Sequence, residues 1–187
     1  MKTKLILRTM LLLVGSCALF IIKPVSAIDV DIKITGEIYI PPCQINNGAD
    51  VNVSFGKISL QKVDGNEYAV TKTVNVNCEY YRGEPYIQLS GGSVLPGAPD
   101  NVLKTTSGPN VSSLGIALYQ GGGVNASYPM NIGRGVNGKG YKIMRGLSSV
   151  NSQSGQFTFT AVPYKKGNDE LVAGTFGATM TMSISYV

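Results

Sequence analysis

A chain of 187 residues, 43% of them hydrophobic, is long enough to bury one ordinary globular core. It contains no histidine, which removes Ser-His-Asp and Cys-His catalysis and the commonest nitrogen ligand of metal sites. The formal net charge of +5 is concentrated at the N-terminus: four of the 16 Lys and Arg, and none of the 11 acidic residues, lie within residues 1–27. Without that segment the balance is 12 minus 11, or +1, which is no footprint for nucleic acid.

Residues 1–27 read as a secretory signal. Lys2, Lys4 and Arg8 precede a thirteen-residue apolar run from Met10 to Ile22, and Val25-Ser26-Ala27 is a small-residue cleavage site. The run is short for a membrane span. A lipoprotein signal ending at Cys17 would leave Ala18 to Ile22 as an apolar start to the mature protein, so cleavage after Ala27 is the reading adopted. The mature chain, 28–187, is therefore expected to be exported. Cys43 and Cys78 then remain as a pair bound for an oxidising compartment, and a disulfide between them is expected.

From residue 28 to residue 40 the chain alternates. Val30, Ile32, Ile34, Gly36, Ile38 and Ile40 share one parity; Asp29, Asp31, Lys33, Thr35, Glu37 and Tyr39 take the other. Side chains of a strand point to opposite faces in turn, so this is a strand with one apolar face. Pro41-Pro42 ends it. It is either the first strand of a sandwich or a segment whose first half serves elsewhere, because thirteen residues is long for a strand in a small domain.

The rest reads as all β. Val51, Val53 and Phe55 alternate before Gly56, Asp64-Gly65 marks a turn, and strand formers run from Tyr68 to Val76. Further strands are expected at Tyr86–Leu89, Leu114–Tyr119, Tyr141–Met144 and Phe157–Val162, and residues 90–101, with three Gly and two Pro in twelve, as a loop. The 23 glycines and the lack of any amphipathic helical period argue against helices. Short strands at turn-separated intervals point to a β-sandwich stapled by Cys43 and Cys78.

Enzyme signals are weak. Gly133-Arg-Gly-Val-Asn-Gly138 matches GxGxxG, but Gly140 follows Lys139 where a P-loop needs Ser or Thr, and no helix pattern follows to hold phosphate. A mobile loop is expected there. Two cysteines 35 positions apart make a poor metal site, so no cofactor is expected. Asn52, Asn110 and Asn125 head glycosylation sequons that would matter only in a eukaryotic host.

The last fourteen residues alternate from Phe176 onward. Phe176, Ala178, Met180, Met182, Ile184 and Tyr186 face one way; Gly177, Thr179, Thr181, Ser183 and Ser185 face the other. With no turn signal after it, this strand is expected to need a partner from outside its own hairpin for the backbone groups of one edge.

At this point the chain resembles pilin subunits of the bacterial chaperone–usher pathway, above all the small tip-adaptor minor pilins of P-pilus type. The matching stretches are Ile38-Tyr-Ile-Pro-Pro-Cys43, the Cys43/Cys78 pair, Val70-Thr-Lys-Thr73, Leu114-Gly-Ile-Ala-Leu-Tyr-Gln-Gly121, Gly138-Lys-Gly-Tyr141 and Phe157-Thr-Phe-Thr-Ala-Val-Pro163. A terminal strand with Gly174 fourteenth from the end and Tyr186 penultimate completes the match. The resemblance covers essentially the whole mature chain.

It implies an incomplete immunoglobulin-like sandwich lacking its last strand, organised as signal peptide 1–27, donor-strand extension 28–41 and pilin domain 42–187. A periplasmic chaperone would fill the groove beside the terminal strand and anchor the Val187 carboxylate. At the outer-membrane usher the extension of another subunit would replace it. Val30, Ile32, Ile34 and Ile38 would be donor knobs, with Gly36 allowing close approach. Gly174, Phe176, Ala178, Met180, Met182, Ile184, Tyr186 and Val187 would form the chaperone and acceptor edge. The expected function is a structural minor pilus subunit, an adaptor joining a tip adhesin to the tip fibre at the cell surface. The alternative is a self-contained secreted sandwich binding a glycan or small ligand.

Overall fold

The computed structural model describes residues 29–187, and the signal expected over residues 1–27 lies outside them. Two units are distinguished, one ending at Glu37 and one spanning Ile38–Val187. In the first, residues 29–37 join no ladder, and Val30, Ile32 and Ile34 are exposed.

The second unit is a two-layer sandwich of eight strands. They are β1 (Gln44–Ile45), β2 (Val70–Asn77), β3 (Pro85–Ser90), β4 (Val102–Lys104), β5 (Leu114–Gln120), β6 (Tyr141–Lys142), β7 (Ser154–Lys165) and β8 (Thr181–Tyr186). One sheet has the order β1-β2-β7-β5-β4 and the other β6-β3-β8, with every pair antiparallel. The all-β expectation holds, and β2, β3, β5, β6 and β7 fall within or over the five stretches expected as interior strands. The 64–65 turn forms because the Asp64 carboxylate accepts the Asn66 and Glu67 N–H groups at 2.9 and 2.8 Å while Gly65 takes φ 84°.

Long β7 is the spine of the larger sheet, pairing β2 along one side and β5 along the other. Phe157, Phe159 and Ala161 alternate inward to a core shared with Val74, Val76, Ile87, Leu89, Leu118, Ile184 and Tyr186. Thr160 and Val162 lie on its opposite face, where Val162 joins Leu95, Val102 and Ala117 in a second, smaller core. The segment read as a loop over residues 90–101 thus covers the outer face of a sheet rather than only linking strands. Thr71 and Thr160 also bond hydroxyl to hydroxyl across β2 and β7 at 2.9 Å, the cross-strand pairing that polar sheet faces favour.

Cys43 and Cys78 form the expected disulfide, with Cα atoms 4.1 Å apart. The bridge fixes the start of the domain against the end of β2. Cys43 also donates its N–H to the Ile184 carbonyl at 2.7 Å, and the chain then crosses to the other sheet, where Gln44 pairs with Asn77. Cys43 and Gln44 therefore tie both sheets together at one point.

Two expectations about strands need correction. Val51–Phe55 joins no ladder, although Val53 and Phe55 do turn toward the core as the alternation required. The terminal strand begins at Thr181, not at Phe176. Its partner β3 ends at Ser90, opposite Thr181, and turns away through Gly91 at φ 78°, so residues 176–180 have only a single bridge, Gly177 to Ser107, in place of a ladder.

Candidate functional site: a groove between two unladdered segments

The two segments that carry strand periodicity without a ladder border the same groove. One wall is Gly174–Ser183, the other runs from Pro42 through Val53 and Phe55 to Ile58, and Leu103, Ile116, Leu118, Phe159 and Ala161 form the floor. The cavity is about 1310 Å³. At its Phe176 end a smaller apolar hollow of about 140 Å³ continues it, lined by Ile58, Leu60, Val63, Leu114 and Val172.

Burial is graded along the terminal wall. Ile184 and Tyr186 are 0% and 2% exposed, whereas Phe176, Ala178, Met180 and Met182 are only half-buried although all pack on the core. The gradient has a simple origin. Cys43 closes the groove at Ile184, and beyond that point, among the described residues, no strand lies against β8 on the side away from β3. Phe55 and Phe176 span the gap between the walls at the far end, with ring centroids 6.0 Å apart and planes inclined by 30°.

An open strand edge above an apolar floor can accept an extended chain. Free N–H and C=O groups along β8 supply a ladder, and half-buried apolar side chains supply pockets for every second residue of the incoming strand. No metal-ligating cluster accompanies the groove among the described residues.

Residues 32–187 match the family model described as fimbrial protein. The chain belongs to the fimbrial protein family. It is 42% identical over 158 residues to the fimbrial adapter PapF of Escherichia coli, covering 84% of this chain and 88% of that protein. The figures are the same for the minor fimbrial protein PrsF of Escherichia coli. Among solved structures, the P pilus adaptor subunit PapF aligns with 34% identity and a TM-score of 0.52, covering 81% of this chain and 100% of that one. The P pilus rod subunit PapA aligns at 18% identity and a TM-score of 0.53 over 84% of this chain and 100% of that one, a likeness of fold.

As a fimbrial protein the chain is homologous to an adaptor and to a minor fimbrial subunit, and its solved relatives are chaperone–usher pilus subunits of immunoglobulin-like fold. A secreted sandwich built for a glycan or small ligand finds no support in these relationships. They mark a structural component of cell-surface pili rather than an enzyme family.

The structure gathers Phe176, Ala178, Met180 and Met182 on one wall of the groove. Ile184 and Tyr186 lie past its closed end, in the core. Burial pushes the Tyr186 phenol above its ordinary range, partly offset by a hydrogen bond with the Asn151 backbone. Val187 extends the pairing by one residue, exchanging N–H···O bonds with Glu84 at 3.0 and 3.1 Å. Gly174 is exposed and sits against Pro109. Of the proposed donor residues, Val30, Ile32, Ile34 and Ile38 are exposed, and a Cβ built on Gly36 would meet nothing within 4 Å.

Sequence reasoning missed the groove floor and the second wall as site residues. The wall had left a signal in the Val51, Val53 and Phe55 alternation; the floor residues look like any other core. The GxGxxG stretch is a loop holding a three-residue 3-10 turn, Val136–Gly138, and Gly140 donates back to the Arg134 carbonyl at 2.7 Å. No helix follows it to meet a phosphate.

Proposed function

We propose that this chain is an adaptor-type minor pilus subunit assembled by donor-strand exchange, with an acceptor groove beside β8 and a donor strand in residues 28–41. The observation that carries the reading is that both walls of an apolar groove have strand periodicity and neither is laddered across it. One inserted strand would satisfy both edges at once.

The donor period fits the acceptor. The open wall repeats with the same two-residue period, Phe176, Ala178, Met180 and Met182 advancing six residues or roughly 20 Å at about 3.3 Å per residue, which the donor's same-face positions from Val30 to Ile38 are long enough to cover. Nothing in its own surroundings requires Gly36 to be glycine, which supports a close approach made only in a partner's groove. Burying four Val or Ile side chains contributes roughly 6–12 kcal/mol at about 1.5–3 each, comparable with the whole stability of a domain, about 5–15 kcal/mol. A subunit lacking that contribution is marginal and exposes an edge prone to aggregate, which is the reason for a periplasmic chaperone before the outer-membrane usher. The neighbours are then pilin subunits, including a tip adhesin that receives this chain's extension.

The test is thermal unfolding of residues 28–187, disulfide intact, against the same chain with a second copy of residues 28–41 tethered after Val187. A rise in melting temperature of tens of degrees is expected. Equal melting temperatures would mean a complete domain and overturn the reading.

A further inference from the structure

The Phe176 wall of the groove is not held by its own sheet. Residues 172–180 precede the β3–β8 ladder, which starts at Thr181, and the loop Thr105–Asn110 holds them instead. Asn110 is buried, and its side-chain amide treats Val172 as a strand partner would: Nδ2 donates to the Val172 carbonyl at 2.7 Å and Oδ1 accepts the Val172 N–H at 2.8 Å. The Asn110 carbonyl is itself fixed by the N–H groups of Ser113 and Leu114 at 3.0 and 2.8 Å.

Three neighbours extend this hold. Pro109 packs on Gly174, where an added Cβ would lie 2.7 Å from the ring. Gly108, at φ 94°, lets the Thr175 carbonyl come so close that an added Cβ would lie 1.9 Å from its oxygen. Thr106 donates its N–H to the Gly177 carbonyl at 2.8 Å.

We infer that Asn110 is a positioning residue for strand uptake: through Val172 it holds the Phe176 end of the groove in the shape an incoming donor must meet. The inference rests on the groove being a strand acceptor. Its energetic logic is that of a binding-competent fraction. A wall tethered by a side-chain amide and a few loop bonds samples collapsed shapes when the tether is lost, and the entry rate falls with the fraction of open shapes. Once a donor has laddered along the wall it holds that wall itself, so escape is little affected.

The experiment follows entry and escape of a fluorescent peptide with the sequence of residues 28–41 on the mature chain, residues 28–187. Hydrogen exchange at the Val172 amide reports whether the hold is released. Asn110→Ala is expected to slow entry about tenfold, escape changing less than twofold, with faster exchange at Val172. Asn110→Asp keeps the acceptor for the Val172 N–H but sets a carboxylate oxygen against the Val172 carbonyl, so slowing comparable with alanine's is expected near neutrality and relief at acid pH, where the protonated carboxyl can donate again; it decides the matter if the alanine variant does not fold. Asn151→Ala, which removes a bond to the Gly83 N–H in the exposed loops near Tyr186, is expected to leave entry unchanged.

Wild-type entry rates in the Asn110 variants despite faster exchange at Val172 would overturn the positioning role alone. Equal slowing by Asn151→Ala would do the same, because the effect would then be general loosening. Failure of the wild-type chain to take up peptide at all would instead remove the acceptor reading, and this inference with it.

Discussion

The burial gradient along the terminal wall makes Phe176 and Ile184 unequal probes of one groove. Ile184 has no exposed surface left to lose, so Ile184→Ala costs about 2–5 kcal/mol whether or not a donor strand is present. Phe176 is half-buried and leans on Phe55. In the open domain its truncation forfeits only part of a buried ring, about 2 kcal/mol, while under a donor strand it forfeits the whole, about 4 kcal/mol. The difference, about 2 kcal/mol, is a roughly thirtyfold loss of donor affinity for Phe176→Ala and close to none for Ile184→Ala. Equilibrium binding of a peptide with the sequence of residues 28–41, alongside chemical denaturation of the free and strand-tethered forms, measures both quantities. If Ile184→Ala weakened donor binding as much as Phe176→Ala at equal loss of stability, the strand would not lie along this wall and the groove argument would fail.

Removing the bridge with Cys43→Ser and Cys78→Ser is expected to cost about 3–4 kcal/mol through the entropy of the opened loop. Because Cys43 also donates to Ile184, the closed end of the groove should loosen first, seen as faster hydrogen exchange at Cys43 than at β7 amides. At the surface, the Lys142 ammonium donates to Glu84, with Tyr86 Oη adding a second bond at 3.2 Å, and the Glu84 carboxyl is held below its ordinary range. A depressed folded pKa means the contribution is present above the unfolded carboxylate value and is lost as pH falls through the folded one. An NMR titration of Lys142→Met is therefore expected to show Glu84 moving up toward its ordinary range, with little change in stability near neutrality, since both partners are solvent-exposed and screened.

Much of this architecture was written in two-residue alternation, because a strand with one face on a core must repeat that way. Phe157, Phe159 and Ala161 announced β7, and the Val70–Val76 run announced β2. The three residues of β4, Val102–Lys104, were not legible, since a strand so short carries no period and its neighbours are rich in Gly and Pro. Nor was the outer core of Leu95, Val102, Ala117 and Val162, which depends on a loop folding back over a sheet. Asn110 was visible only as the head of a sequon; its pairing spans 62 positions, and no local pattern encodes a partner that distant. Cys43 and Cys78 were legible as a pair by arithmetic.

The places where periodicity and ladder disagree are the informative ones. Elsewhere in this fold a segment with strand alternation finds a strand partner, because an unpaired backbone beside a core costs free energy. Val51–Phe55 and Phe176–Met180 have the alternation and the apolar contacts to the core but not the ladder, and they border one groove. Chance loss of pairing would have no reason to strike two segments facing the same space. A sequence selected to pair with a strand that arrives from another chain would produce this pattern on both sides of the gap. The exposed alternation of Val30, Ile32, Ile34 and Ile38 is the complementary pattern, an apolar strand face left unburied among the described residues.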